Sequence, residues 1–311
     1  MKGMSGFIRR QGELILTNDR FALFNIIVLV LFPYTGWLAS AIIALITLRK
    51  GWKSGANVLF AALGTHFIVL KLTTHSTVNE AVLATLLSYM PCYLAAVTLY
   101  LTQSWRAVAG VLSLQVLLVL SLIQLGAPDF MMQQVEGLRE LLSQLQFETP
   151  LLLLNQDGHP ETQMMFAHYL FGVQAAGVAL ASMFSLTLAR YIQSILFYPE
   201  GFKSEMRALR GGRVDLMLLL LVFVLAKQHS FVAIDVLPIV LLFFFVAGLS
   251  LWFDCMARSA LRIPLLVLSV VLGLLPHVML TTIVLFGALD TLFNFRVFLH
   301  NRAAKAIGEV K

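Results

Sequence analysis

The chain has 311 residues, 59% of them hydrophobic and only 12% charged, with a formal net charge of +6. A water-soluble domain carries about 25% charged residues, so this composition, with a mean hydropathy of +0.86, excludes a soluble globular protein and defines an integral membrane one. The positive charge does not call for nucleic acid, because basic loops are what a polytopic protein uses to orient itself.

Residues 1–20 are read as a cytoplasmic tail carrying Lys2, Arg9, Arg10 and Arg20. The apolar run Phe21–Phe32 then mimics a secretory signal, with Ala39-Ser40-Ala41 in the place of a cleavage site. It continues into "IIALITL", still apolar enough for a membrane, so no cleavage is expected. Residues 21–48 are interrupted by "PYTG", Pro33 to Gly36. Proline breaks the helix ladder, and freed backbone groups are tolerated in a bilayer only where protein or water satisfies them. Cleaner apolar segments follow at 55–72, 81–102, 107–125, 164–189, 214–230 and 232–253. Each is near the ~20 residues that cross a ~30 Å hydrocarbon core. The last segment, 263–293, is interrupted at Pro276-His277, and a basic tail, 297–311, closes the chain. The expected fold is an all-α polytopic helical bundle, with a transmembrane domain over 21–296 and about 8–10 membrane segments. Each broken segment reads as one long kinked span or as two short helices in a hairpin.

Loop charge orients the clean spans. One set of loops holds Arg49, Lys50, Lys53, Arg106, Lys203, Arg207, Arg210, Arg213, Arg258 and Arg262; the opposite set holds only Arg139 and Lys227. The first set is expected in the cytoplasm. The basic tails, ending in Arg296, Arg302, Lys305 and Lys311, are expected there too. That placement requires both broken segments to be hairpins. The localisation expected is a bacterial inner membrane, multi-pass, with both termini cytoplasmic.

The exterior loop 126–163 offers Asp129 as an N-cap, then Val135, Leu138, Leu142 and Leu145 on one helix face, which suits a helix lying along the outer leaflet. Small residues four apart between Gly172 and Ser185 (Gly172 with Ala176, Gly177 with Ala181, Ala181 with Ser185) predict close helix packing within the chain rather than a dimer seam.

Ionisable groups inside spans are costly and mark candidate sites. Six lie towards the exterior on this topology: His66, Lys71, His168, Lys227, His229 and Asp235. Together they form a candidate outward-facing ligand pocket. Each also has a plainer reading: snorkelling for Lys71, an ion pair across a tight turn for Lys227 and Asp235, satisfied core histidines for His66 and His168. Cys92 and Cys255 predict neither a disulfide framework nor, without Cys or His nearby, a zinc site. No cofactor or metal is expected. An intramembrane enzyme finds no familiar constellation: "GLSLW", Gly248 to Trp252, lacks the second glycine of a rhomboid-like serine site, and HExxH and P-loop motifs are absent. The chain is not expected to be an enzyme.

The least membrane-like stretch is "FYPEGFKSEMRALRGGR", Phe197 to Arg213. Phe202, Met206 and Leu209 recur at helical spacing, and Lys203, Arg207 and Arg210 repeat it one residue later. Two neighbouring stripes predict a short helix in the cytoplasmic interface, its cations on anionic lipid, ended by Gly211-Gly212. Its partners would be the bilayer, anionic headgroups and a membrane or cytoplasmic protein. On the inner side Asp254, Arg258 and Arg262 follow at four-residue spacing, and Asp290, with Asn294 and Arg296 beyond, is read as anchoring the terminal helix.

The stretch from Pro199, with its Pro-x-Gly-Phe opening, together with "LFGALDTLFNFR" (Leu285 to Arg296) and "LRKG" (Leu48 to Gly51), resembles the YybS-like family of bacterial membrane proteins of unknown function. That resemblance implies distant likeness to the substrate-binding components of vitamin transporters and to a rod-shape membrane protein, small helical bundles that work with partners. Two functions compete ahead of an enzyme. One is a transport-related protein with a small-molecule pocket open to the outer side. The other is a scaffold that recruits partners through its basic cytoplasmic face.

Overall fold

A computed structural model describes residues 2–32, 34–74, 77–126, 135–137, 140, 143–144, 160–199, 201–256 and 259–297. The expectations for Asp129, Leu138, Arg139, Leu142 and Leu145, for Arg258, and for the tail beyond Val297 lie outside these. Every regular element described is a helix: α1 (Lys2–Thr17), α2 (Asp19–Leu31), α3 (Gly36–Lys50), α4 (Trp52–Thr73), α5 (Val78–Thr102), α6 (Trp105–Gly126), α7 (Pro160–Phe197), α8 (Gly201–Ala208), α9 (Arg213–Lys227), α10 (Phe231–Met256), α11 (Ser259–Gly273) and α12 (Pro276–Phe293). The all-α membrane bundle is therefore the observed fold. Hydroxyls in the apolar helices bond carbonyls one turn back, as Thr47 does to Ile43 and Thr98 to Leu94, each at 2.8 Å. Each of these hydroxyls is thereby satisfied within its own helix.

Five helical stretches are long and apolar enough to cross a membrane among the described residues: Trp52–Thr73, Val78–Thr102, Trp105–Ile123, Met164–Phe197 and Phe231–Met256. The apolar segment expected at 214–230 is α9, of 15 residues. It ends where His229 turns left-handed at φ 62°. At ~1.5 Å per residue it reaches roughly 22 Å, as α3 does, and is shorter than the five stretches above. Its outer faces are nonetheless apolar and exposed, with Val214 at 77% and Met217 at 69%, which suits lipid and not water.

The helices form two compact units, one of Met1–Val116 and Ala176–Ser204, the other of Leu117–Ala175 and Glu205–Lys311. In the first, Asn18 caps α2 by accepting from the Arg20 and Phe21 amides. The helix pair Gly6–Thr17 and Asp19–Leu31 bends by 113° there. Residues 2–17, read from sequence as part of a tail, are thus helical, with Gly12 seated on Ile192 and Leu196 of α7. Asp19 at the start of α2 pairs with Lys50 at the end of α3. The first broken segment is therefore a hairpin, not one kinked span. Gly51, at φ 89°, makes the turn into α4 that a side chain would disfavour. A capping box of Thr77 and Glu80 starts α5. Ile26, Ile43, Leu59, Ala62 and Tyr89 belong to the core of this unit.

In the second unit α10 and α12 approach until backbones touch. A Cβ on Gly248 would fall 1.9 Å from the Ile283 carbonyl oxygen, and one on Gly287 2.1 Å from that of Phe244. Beyond α12, Arg296 pairs with Asp290 at 3.1 Å and donates to the Leu209 carbonyl at 2.7 Å and to Ser250 Oγ at 3.3 Å. Asn294, left-handed at φ 49°, ends the helix and returns its amide to the Asp290 carbonyl. The far end of α12 therefore lies with the C-terminal part of α10, from which α11 departs. Residues 259–293 leave that end and come back to it, so the second broken segment is also a hairpin.

Candidate functional site

The first unit encloses a half-open cavity of about 580 Å³. Its walls are the end of α2, the first turns of α3, the last turns of α4, the middle of α5, and residues 178–185 of α7. These lie at the end of α3 and α4 away from the basic turn of Arg49, Lys50 and Lys53. Trp37 packs against Phe184 with ring centroids 5.2 Å apart, and its carbonyl lies 2.9 Å from Ser185 Oγ. That bond joins α3 to α7 at a small residue, whose hydroxyl also lies 2.9 Å from the Ala181 carbonyl of its own helix. Tyr34 stands on the rim, 94% exposed and left-handed at φ 67°. Thr35 beside it donates to the Phe32 carbonyl at 3.0 Å, satisfying one of the groups freed at the end of α2.

At the wall, His66 meets Tyr89 edge-on, with centroids 5.4 Å apart and planes at 86°. His66 Nδ1 is buried without a hydrogen-bond partner. The hydroxyls of Ser88 and Ser182 bond back to Ala84 and Val178 in their own helices. Among the described lining residues none carries a formal carboxylate, ammonium or guanidinium. The arrangement offers aromatic faces, a few neutral polar groups and space, the usual make-up of a small-molecule site.

Of the six pocket candidates read from sequence, His66 lines this cavity. Lys71 is exposed on the last turn of α4, near Leu70 and Thr73 of the wall but not in it. His168 and Asp235 belong to the second unit and pair with each other: His168 Nδ1 lies 2.9 Å from Asp235 Oδ2, with the side chains 4% and 0% exposed. The expected pairing of Lys227 with Asp235 gives way to this one. Lys227 is exposed and its ammonium lies 5.9 Å from the centre of the Phe223 ring. His229 is exposed in the turn between α9 and α10. The pairing with His168 has a local cause. Gly172 lets α7 reach the α10 backbone, since a Cβ there would sit 2.7 Å from the Asp235 carbonyl oxygen. His168, one turn earlier, is stacked at 4.6 Å on Phe231 and so held beside the carboxylate. Burial makes such a pair depend on mutual compensation, because either partner alone would be an unpaired polar group in a low dielectric.

The basic stretch also departs from expectation. Its helix, α8, stops at Ala208, before Leu209 and Arg210 join it. Leu209 is 5% exposed. Arg207 pairs with Asp254 at 3.5 Å, Arg210 donates to the Thr291 carbonyl at 3.2 Å, and the Met206 carbonyl accepts from Ser250. Phe202 meets Tyr191 edge-on at 5.5 Å. Two of the three expected lipid-facing cations are thus engaged by protein, because α10 and α12 present an acid and a free carbonyl where the stripe passes. Lys203 remains exposed and also has an interaction of its own. Gly211, read as a helix stop, is instead buried where a Cβ would strike Thr291 Oγ1 at 2.7 Å, and the Gly212 amide starts α9 by donating to Asp215.

Trp37, Ser40, Tyr89 and Ser182, all of the cavity, had no signal in the sequence beyond the small-residue spacing that includes Ala181 and Ser185. No family model, curated protein or solved structure matches the chain.

Proposed function

We propose that this membrane protein takes part in transport by binding a small molecule in the cavity of the first unit. The observation that carries the reading is the cavity itself, about 580 Å³ within a bundle of apolar helices, large enough for a drug-sized ligand at roughly 300–1,000 Å³. It lies at the end opposite the basic α3–α4 turn, so a cytoplasmic position for that turn opens the cavity to the exterior. The resemblance to the YybS-like family agrees with this reading and adds no chemistry to it. The scaffold reading loses support from Arg207 and Arg210, whose partners are within the chain.

Native mass spectrometry of the detergent-purified protein tests the proposal. The parent should carry a non-lipid small molecule. Ala181→Phe, which places a ring in the cavity from an exposed helix position, should lose it while remaining monodisperse. A parent that carries no more than the variant would remove the binding role.

A further inference from the structure

We infer that the occupant of this cavity is an uncharged, ring-bearing molecule with one or two hydrogen-bonding groups, and that His66 is the residue that selects for neutrality. The inference rests on the binding role proposed above and adds the chemical class. Charge is decided first. The described wall has no acid, lysine or arginine, and the nearest basic side chain along α4, Lys71, lies outside it. An ion moved from water into such a site forfeits hydration without a countercharge, a penalty of several kcal/mol in protein interiors. A carboxylate, phosphate or ammonium is therefore a poor occupant.

Shape is decided by the aromatic groups. Trp37, Tyr89 and His66 meet the cavity from three different helices, and Tyr34 and Phe32 stand at its mouth. Rings offered from several directions favour a ring between them, by offset or edge-on contact, over a flexible chain whose ordering costs entropy. Polarity is decided by what is left unpaired. Ser88, Ser182 and Ser185 direct their hydroxyls to carbonyls of the protein. His66 Nδ1 is buried with no partner. A proton on that nitrogen would be a donor with nothing to donate to. The ring is thus set to carry its one proton on Nε2 and to offer a single neutral donor to the occupant. It has no second donor with which to meet an anion.

The test uses three probes that share a naphthalene ring and differ in charge: 2-naphthylmethanol, 2-naphthoate and 2-naphthylmethylammonium. Binding is read as saturable quenching of Trp37 fluorescence in purified protein, in a background whose other tryptophans are phenylalanine. Ala181→Phe and, separately, Ser88→Trp in place of the cavity mouth supply the detergent-partition blank. The Ser88→Trp protein is read by equilibrium dialysis rather than fluorescence. The alcohol should bind the parent and lose that binding in both blocked variants. The two ions should bind roughly 100-fold more weakly or worse, the ratio that an unpaid desolvation of about 3 kcal/mol gives. His66→Phe should weaken the alcohol about tenfold while leaving 2-methylnaphthalene, which has no hydroxyl, unchanged.

Ions that bind as tightly as the alcohol would overturn the class and leave the binding role standing. Binding of the alcohol that survives both blocked variants would be partition into detergent and would overturn the inference. If no probe of any charge binds and the parent also purifies empty, the binding role itself fails.

Discussion

At the scale of single residues, several glycines mark where one helix backbone comes close to another. A Cβ at Gly248 would fall 1.9 Å from the Ile283 carbonyl oxygen, whereas one at Gly177 meets nothing within 4 Å. Gly248→Ala must push α10 from α12 and should cost about 1–3 kcal/mol, the usual range for overpacking. Gly177→Ala should be neutral or stabilise by up to about 1 kcal/mol through helix propensity. Thermal unfolding of both variants in one detergent decides it, and equal midpoints for the two would sink the close-packing account. The two glycines differ in legibility for the same reason. The spacing picks out Gly172 with Ala176 and Gly177 with Ala181 and Ser185, of which Gly172 packs on the Asp235 carbonyl and Gly177 lies open, while Gly248 and Gly287 each face a carbonyl on another helix, which no local period records. Asp235 teaches the same lesson. Its neighbour by sequence is Lys227, eight residues away, but its partner is His168, 67 residues away on α7. Asp290 as an anchor of the terminal helix was legible because Asn294 and Arg296 follow it within two turns, and its partner there is Arg296.

At the scale of elements, α8 shows how far an amphipathic pattern can be followed. The two stripes predicted a helix in the right place, and residues 201–208 form one. What they could not show was the destination of the charges, because a lipid phosphate and a protein carboxylate attract an arginine alike. The pair of Arg207 with Asp254 is half open to solvent, with Arg207 46% exposed, and such pairs contribute only about 0.2–1 kcal/mol. Arg207→Glu sets two acids together and should raise opening of the segment about fivefold. Cleavage by chymotrypsin after Phe202, a site untouched by the change, follows that opening population when reclosing is fast. The double variant Arg207→Glu, Asp254→Arg should return cleavage to the parental rate. Headgroup binding predicts another outcome: the double variant would stay as sensitive as the single one, since its residue 207 still repels anionic lipid.

At the scale of the whole molecule, the two proline breaks control how the chain is threaded. Sequence placed both breaks and left open whether each made a kink or a turn, because Pro33 and Pro276 fit either. The deciding facts are tertiary: Asp19 with Lys50 in one unit, Arg296 with Ser250 and Leu209 in the other. Each break thereby becomes the tip of a hairpin whose two ends share a side. With the basic turn at Arg49–Lys53 cytoplasmic, the tip at Tyr34, 94% exposed, is expected to face the exterior; within the second unit, with Arg207, Arg210 and Arg213 cytoplasmic, the tip at Leu274, 79% exposed, is expected to do the same. Asp19 and Asn294, at the other ends of the two hairpins, are then expected in the cytoplasm. Single cysteines at these four positions, after replacement of Cys92 and Cys255 by alanine, can be exposed on intact cells to a thiol reagent that does not cross membranes. Tyr34→Cys and Leu274→Cys should label, whereas Asp19→Cys and Asn294→Cys should label only after the membrane is opened. Single kinked spans would instead carry the chain across once at each break, leaving Asp19→Cys and Asn294→Cys reactive from outside while the basic loops stay protected. Labelling of either of those two on intact cells would refute the hairpin it belongs to, and labelling of Asp19→Cys with protection of Tyr34→Cys would also close the cavity to the exterior.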